Sequence, residues 1–359
     1  MNIRRIKVSR SIFSILCFVA LSSCGTEPIL PYSVNVPPLV LSTLPTSNIT
    51  DGRGRFREIY CKIGEDHGKS LSNYKPCEET LHRLDNEPNG TGKPISLGSS
   101  NSSFKTLIVP GIFGECLGDK VGIYSYARAH LKSHGYDVDV LPVSGRSSSS
   151  YNGKQIRDAI INSNDNRIVL IGYSKGLADI LEAIVAYPEL HDRIVAVVGI
   201  AGVVNGSPVA DSLAKLYDAL VSKMALKSCP IGDRGGVDSL RRSERLSWLS
   251  QNKLPMNIKY YSLAAFTDKE NISAILRPFH TMLSRVDPRN DSQVVFYDAI
   301  IPGSTILGYA NSDHWAVTLP FSQDMPVISS TLVNRNEFPR EVLLETVIRF
   351  VEEDINSSQ

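Results

Sequence analysis

The residues with the clearest chemical potential lie in Gly172-Tyr173-Ser174-Lys175-Gly176. The apolar run Ile168 to Ile171 precedes them. An apolar stretch beginning Leu177-Ala178 follows and continues to Tyr187, where Pro188 stops it. This order predicts a buried strand, a tight turn and a helix. A residue at the tip of such a turn is strained, so its neighbours must be small, and Gly172 and Gly176 supply that room. Ser174 is then lifted off the strand end with its hydroxyl exposed, and the Lys175 N–H points to the same side. A hydroxyl presented in this way can attack a carbonyl carbon once a base takes its proton. The charge that develops on the carbonyl oxygen must meet two preorganised N–H donors, each contributing about 3–4 kcal/mol. The Lys175 N–H is one of them.

The strands that would carry this turn begin at Phe104. Lys105 to Val109 is a buried run, ended by Pro110-Gly111-Ile112-Phe113-Gly114. Tyr124 to His134 reads as a helix closed by Gly135. Tyr136 to Val143 alternates as a second strand, Ser144–Ser150 is a loop and Gln155 to Ile161 a helix. Beyond the Ser174 turn, Ile194–Ile200, Lys259–Ala265 and Thr305–Tyr309 are further strands. Arg340 to Asp354 is an amphipathic helix with Val342, Leu343, Val347, Phe350 and Val351 on one side. Strands alternating with helices predict a mostly parallel sheet flanked by helices on both faces. Ligands of such sheets bind beyond the carboxyl ends of the strands, which is where Ser174 is expected. Between the fourth and fifth strands, Ala210, Leu213, Tyr217, Leu220, Val221 and Met224 recur at helical spacing. That helix either faces the core or covers a pocket, and the two roles are compatible. Arg241, Arg242 and Arg245 read as a solvated helix face in preference to an anion site.

The Ser174 turn resembles the nucleophile elbow, G-x-S-x-G, of the α/β-hydrolases. Other segments, in the same chain order, resemble those of bacterial lipases and esterases. Pro110-Gly111-Ile112-Phe113-Gly114 is similar to their His-Gly-x-x-Gly loop, with Pro110 replacing His. Gly206-Ser207-Pro208-Val209-Ala210-Asp211 resembles the segment leading to their cap helix. Pro288-Arg289-Asn290-Asp291-Ser292-Gln293-Val294 resembles their P-N-D-G-x-V loop, with Ser292 in place of Gly. Asn311-Ser312-Asp313-His314-Trp315 sits where their histidine loop does. The likeness spans about residues 104–320, in an expected hydrolase domain of 104–355 with a helical cap at about 205–255.

The resemblance implies a chain order of serine, acid, histidine. His314, the last histidine, is then the base, and His280 ranks far behind it. Asp291 is the preferred acid. Asp268, directly after the fifth strand, is its rival, while Asp287 and Asp298 are weaker candidates. The second oxyanion donor is the Ile112 N–H by position, with Phe113 as the alternative. The implied activity is carboxylic ester hydrolysis through an acyl-enzyme, on a small-molecule or lipid ester, with no cofactor and no metal in the chemistry. Some lipase relatives hold a structural calcium, but no ligands for one are identifiable here. The runners-up are acyl transfer or thioester cleavage by the same residues, and a hydrolase-fold lipoprotein that binds without catalysis. Tyr173 stands where many lipases carry His, and Lys175 where Gln, Met or Gly is commoner. Lys175 is expected to reach solvent or, failing that, to favour anionic substrates. An aromatic content of 8% and a cap of ordinary apolarity favour a carboxylesterase over a triglyceride lipase.

The 359 residues carry a formal net charge of +1, which supplies no field for nucleic acid. Arg4, Arg5, Lys7 and Arg10 precede a mostly apolar stretch, Ser11 to Ala20, too short to span a bilayer. It ends in Leu21-Ser22-Ser23-Cys24, which resembles a bacterial lipobox. That implies removal of residues 1–23, lipidation of Cys24 and a lipid-anchored envelope protein. Gly25 rather than Asp after the cysteine points to the outer membrane. Residues 24–50 read as a Pro/Ser/Thr-rich tether and 51–103 as an irregular N-terminal subregion. Four cysteines remain in the exported part, Cys61, Cys77, Cys116 and Cys229, an even number that suggests disulfides. Three pairings are possible. Cys61–Cys77 is the economical one, and it leaves Cys116–Cys229 to tie the loop after the first strand to the cap. No Cys-x-x-Cys spacing supports a metal.

Overall fold

The computed structural model describes residues 49–84, 86–100, 102–117, 121–216 and 231–357. Seven strands, β1 (Thr50–Asp51), β2 (Lys105–Val109), β3 (Val138–Val140), β4 (Ile168–Tyr173), β5 (Ile194–Ile200), β6 (Lys259–Phe266) and β7 (Thr305–Asn311), form one sheet. Their order is β1-β7-β6-β5-β4-β2-β3, and every pairing is parallel. β4 lies in the interior, between β2 and β5, with all six of its residues buried. A parallel strand needs a crossover, and the crossovers here contain the helices α1 (Arg53–Asp66), α2 (Ser125–Ser133), α3 (Ser149–Asn162), α4 (Lys175–Ala186), α5 (Pro208–Leu216), α6 (Arg242–Gln251) and α7 (Arg277–Leu283), while α8 (Arg340–Asn356) follows the last strand. This is an α/β-hydrolase architecture.

Side chains alternate across a strand, so each strand feeds both faces. Along β4, Val169, Ile171 and Tyr173 point to a core shared with α1, α2 and α8. Ile168 and Leu170 point to the opposite core, filled by α3, α4 and α6. A third cluster gathers Val209, Ala210, Val237, Leu240, Phe266 and Phe296 beside the carboxyl edge of β6. The α4 helix has Lys175 through Leu181 buried without interruption, because it lies between the sheet and α3. Its length and sequence follow the apolar stretch seen in the chain, and Pro188 opens the next turn.

The N-terminal region departs from expectation. Residues 51–103, read as irregular, contain the 14-residue helix α1, and Thr50 and Asp51 pair with Thr305 and Ile306 at the edge of the sheet. Phe56, Ile59, Tyr60 and Ile63 form an i, i+3, i+4, i+7 stripe that packs on α8. The stripe is obscured by three arginines, which are buried here and held by acids. Arg53 pairs with Asp51, Arg55 with Glu58 and Glu353, and Arg57 with Glu87. Each guanidinium also donates to backbone carbonyls, those of Asn86, Lys93 and His82 among them. These contacts bind the otherwise extended segment 81–98 to the body.

Cys61 on α1 and Cys77 are disulfide-bonded across 16 residues. Cys116 is also disulfide-bonded, while Cys229, its expected partner, lies outside the described residues. The lipobox with Cys24, most of the tether and the stretch Tyr217 to Met224 lie outside them too. Among the described residues, no helix is long and apolar enough to cross a membrane. A loop of this length stabilises mainly by restricting the unfolded chain. Replacing Cys61 and Cys77 by serine is expected to lower unfolding stability by about 3 kcal/mol in urea titrations.

Candidate active site

The chain reverses between β4 and α4 at Ser174, whose φ of 53° and ψ of −124° lie far from ordinary backbone conformations. Such strain persists only where the surroundings over-determine it. Here the surroundings leave no space for side chains. A Cβ on Gly172 would stand 2.6 Å from Leu177 N, and one on Gly176 would stand 2.2 Å from Val109 O. The Ser174 carbonyl accepts from Leu177 N and Val203 N at 3.2 and 3.0 Å, which holds the turn from both sides. Ser174 is 6% exposed, so its hydroxyl is withdrawn from bulk water.

His314 follows β7, and its Nε2 lies 2.8 Å from Ser174 Oγ. Its Nδ1 lies 2.7 Å from Asp291 Oδ2. The other oxygen, Asp291 Oδ1, accepts from Gln293 N and Val294 N at 2.9 and 2.7 Å. The carboxylate is therefore aimed by its own loop. The two loops are stitched together where His314 N donates to Asp291 O at 2.8 Å. Ser292 takes φ of 86°, the left-handed region that favours glycine, which gives a physical reason for Gly at this place in the loop it resembles. Asp268 is exposed at the start of a short helical turn after β6 and makes no hydrogen bond to His314, so the imidazole meets Asp291 alone of the two candidate acids. His280 is buried with Nε2 3.2 Å from Thr267 O, and burial depresses its pKa.

The Tyr173 side chain, which sequence reading noted only as a departure, joins the elbow to the histidine loop. Its hydroxyl donates to His314 O at 2.8 Å, and its ring tilts against the imidazole with centroids 5.1 Å apart. Burial pushes that hydroxyl well above its ordinary pKa, so it stays a donor.

Geometry also separates the two candidates for the second oxyanion donor. The Phe113 N–H is engaged by Gly145 O at 3.1 Å. Among the described residues the Ile112 N–H has no such acceptor. The loop lies directly on Ser174, since a Cβ on Gly111 would stand 2.8 Å from Ser174 Cβ. The Lys175 N–H opens α4, where the aligned peptide dipoles favour negative charge.

Two expectations about cations are corrected. Lys175 reaches neither solvent nor substrate. It is fully buried, with Nζ 2.6 Å from Asp179 Oδ1, while Asn152 Nδ2 donates to Asp179 Oδ2 at 2.7 Å. A buried charge is tolerated when paired and hydrogen-bonded in this way. Arg242 and Arg245 are not a solvated helix face either. Arg245 is buried, donates to Val204 O at 3.1 Å and stacks on Trp248. Arg242 meets the buried carboxylate of Asp298 at 3.1 Å. Arg245 fastens α6 to the segment that leaves β5, and Arg242 fastens it to the turn Phe296–Ala299 ahead of β7. Arg241 alone of the three remains half exposed, 3.7 Å from Asp211.

Comparison with known proteins follows from this geometry. No family model matches the sequence, and no curated protein does. Among solved structures, the metagenomic carboxyl esterase MGS0156 is 38% identical, with 94% of this chain and 99% of that one covered at a TM-score of 0.84. Staphylococcus hyicus lipase is 13% identical, with 72% of this chain and 99% of that one covered at a TM-score of 0.51. Bacillus licheniformis lipase BlEst2 in its propeptide form is 20% identical, with 66% and 51% covered, also at 0.51. The last two likenesses concern the fold alone.

Two outcomes follow from these contacts. Gly176→Ala forces a methyl group into Val109 O and should cost about 3 kcal/mol or fail to fold, as read from urea midpoints and soluble yield. Burial pushes the Asp298 carboxyl up to about 7, outweighing Arg242, whose charge is partly screened by solvent. The unfolded chain titrates this group near 3.8. Asp298 thus contributes stability at acid pH that is lost as the pH rises from about 4 through 7. Asp298→Asn should flatten that slope, so urea midpoints of the variant fall less between pH 5 and pH 8 than those of the wild type.

Proposed function

Because this chain belongs to the carboxyl esterases and lipases of the α/β-hydrolase superfamily, we propose that it hydrolyses carboxylic esters through an acyl-enzyme formed on Ser174. The observation that carries this reading is the continuous line of hydrogen bonds from Ser174 Oγ through His314 to Asp291, at 2.8 and 2.7 Å. His314 Nε2 takes the hydroxyl proton as Ser174 Oγ adds to the ester carbonyl carbon. The oxygen of that carbonyl becomes an anion and is met by the N–H groups of Lys175 and Ile112. Collapse of the tetrahedral adduct breaks the carbon–oxygen bond to the alcohol, which leaves with the proton returned by His314. Water then attacks the acyl-enzyme, His314 again acts as base, and the acid is released with Ser174 restored. Asp291 keeps the proton of the neutral imidazole on Nδ1 and stabilises the imidazolium formed in each step. The nucleophile has its base and acid in place before substrate arrives.

The proposal extends to location. The basic, apolar and Leu21-Ser22-Ser23-Cys24 sequence at the N-terminus supports export, lipidation at Cys24 and attachment to the outer membrane of a bacterial envelope. Several acyl chains, at roughly 0.8 kcal/mol per buried CH₂, anchor durably.

Hydrolysis of short p-nitrophenyl esters tests the chemistry. Ser174→Ala should lower kcat by about 10⁶-fold and Asp291→Asn by about 10⁴-fold, while Asp268→Asn stays near wild type. A fluorophosphonate probe should label the wild type at Ser174 and fail on His314→Ala. Undiminished turnover in Ser174→Ala would end the proposal and leave the chain as a binding protein on a hydrolase scaffold.

A further inference from the structure

Outside the Ser174 site, three helices of one layer converge on a single buried carboxylate. His67 caps α1, His130 lies on α2 and Glu345 on α8. The Nε2 atoms of His67 and His130 stand 2.9 and 2.7 Å from the same oxygen, Glu345 Oε2. The other oxygen is held by Arg349 Nε at 2.7 Å. The Glu345 carboxylate is thus fixed in place, with two imidazole nitrogens already turned towards it. His134, which follows α2, adds a third imidazole, its ring centroid 4.4 Å from that of His130 and 5.6 Å from that of His67.

We propose that His67, His130 and Glu345 form a binding site for a divalent transition metal, with zinc the ion that fits best. Imidazole and carboxylate are the ligand types zinc accepts, and three protein ligands plus water complete a tetrahedron. The three ligand atoms lie within 4.8 Å of one another. In a zinc tetrahedron they stand about 3.3 Å apart, so the present hydrogen-bonded distances open by about half an ångström when the ion enters. His67 makes that movement possible, because its side chain is 21% exposed and lies at a helix end. Metal on Nε2 requires the ring proton to sit on Nδ1. For His67 that nitrogen is 3.5 Å from Asp66 Oδ2, a carboxylate placed to orient the ligand from behind. The Arg349 guanidinium, 2.7 Å from the other Glu345 oxygen, opposes a second cation and weakens the affinity of the site. Bound zinc would clip α1, the helix nearest the N-terminal segment, to α2 and α8 of the hydrolase body.

The test uses the full chain in detergent, carrying no polyhistidine tag, stripped with EDTA and dialysed against zinc. Bound metal is measured by atomic emission and Tm with and without zinc. The expected result is one zinc per chain and a Tm several degrees higher with metal. His67→Gln and His130→Gln, which retain a hydrogen-bond donor for Glu345, should each weaken binding at least about tenfold and abolish the Tm rise. His314→Ala should bind as the wild type does. Absence of stoichiometric zinc in the wild type overturns the proposal. So does zinc that survives both glutamine variants, or zinc that disappears in His314→Ala, which would place the ion at Ser174.

Discussion

The structure depends on one unfavourable piece of backbone, the positive φ of Ser174, held where β4 turns into α4. A non-glycine residue in such a conformation costs on the order of 1–3 kcal/mol. The cost is offset by the contacts made possible once two neighbours lack side chains. Gly176 lets the start of α4 touch the backbone at Val109 and Pro110, and Gly172 lets Leu177 close over the strand end. The result is a hydroxyl that cannot turn away from the carboxyl edge of the sheet. Of the donors that would serve it, the Lys175 N–H is set by the first turn of α4 and the Ile112 N–H by the loop after β2, which packs on Ser174 at Gly111.

Charges in this protein are arranged to reinforce that rigidity. The Lys175 ammonium, one residue from Ser174, is turned inward and neutralised by Asp179, which Asn152 also binds. The pair anchors the first turn of α4 to α3, and the Lys175 ammonium is not presented to a substrate. Arg242 and Arg245 play a comparable part for α6, bridging it to Asp298 and Val204. On the opposite face of the sheet, Arg55 and Arg349 tie α1 and α8 to each other and to the extended chain at 93–98. Charged residues that read as surface in a linear pattern are here the fasteners between layers: the arginines reach carboxylates or carbonyls remote in sequence, and Lys175 is linked to α3 through Asp179 and Asn152. Removing one partner of such a pair leaves an uncompensated buried charge, which is costlier than never having placed the pair.

The sequence by itself determined the local features. An apolar run followed by Gly-x-Ser-x-Gly and a second apolar stretch has one economical backbone, and the strands β2, β4, β5, β6 and β7 begin at or beside the residues where their periodicity starts. The place of His314 after the last strand and the loop around Asp291 were also legible, since chain order constrains which loops can share an edge. What the tertiary structure alone decided is every pairing between distant residues. The likeness of its loop already preferred Asp291 to Asp268; what the structure adds is that the Asp291 carboxylate faces the imidazole at 2.7 Å. The engagement of the Phe113 N–H by Gly145, the inward turn of Lys175 and the convergence of His67 and His130 on Glu345 are of the same kind. The stripe of Phe56, Ile59, Tyr60 and Ile63 was visible in principle but lay under a run of arginines whose burial depends on acids elsewhere in the chain. Backbone preference is written residue by residue and can be read in order, whereas a side chain's partner is set by packing of the whole sheet and its two helical layers.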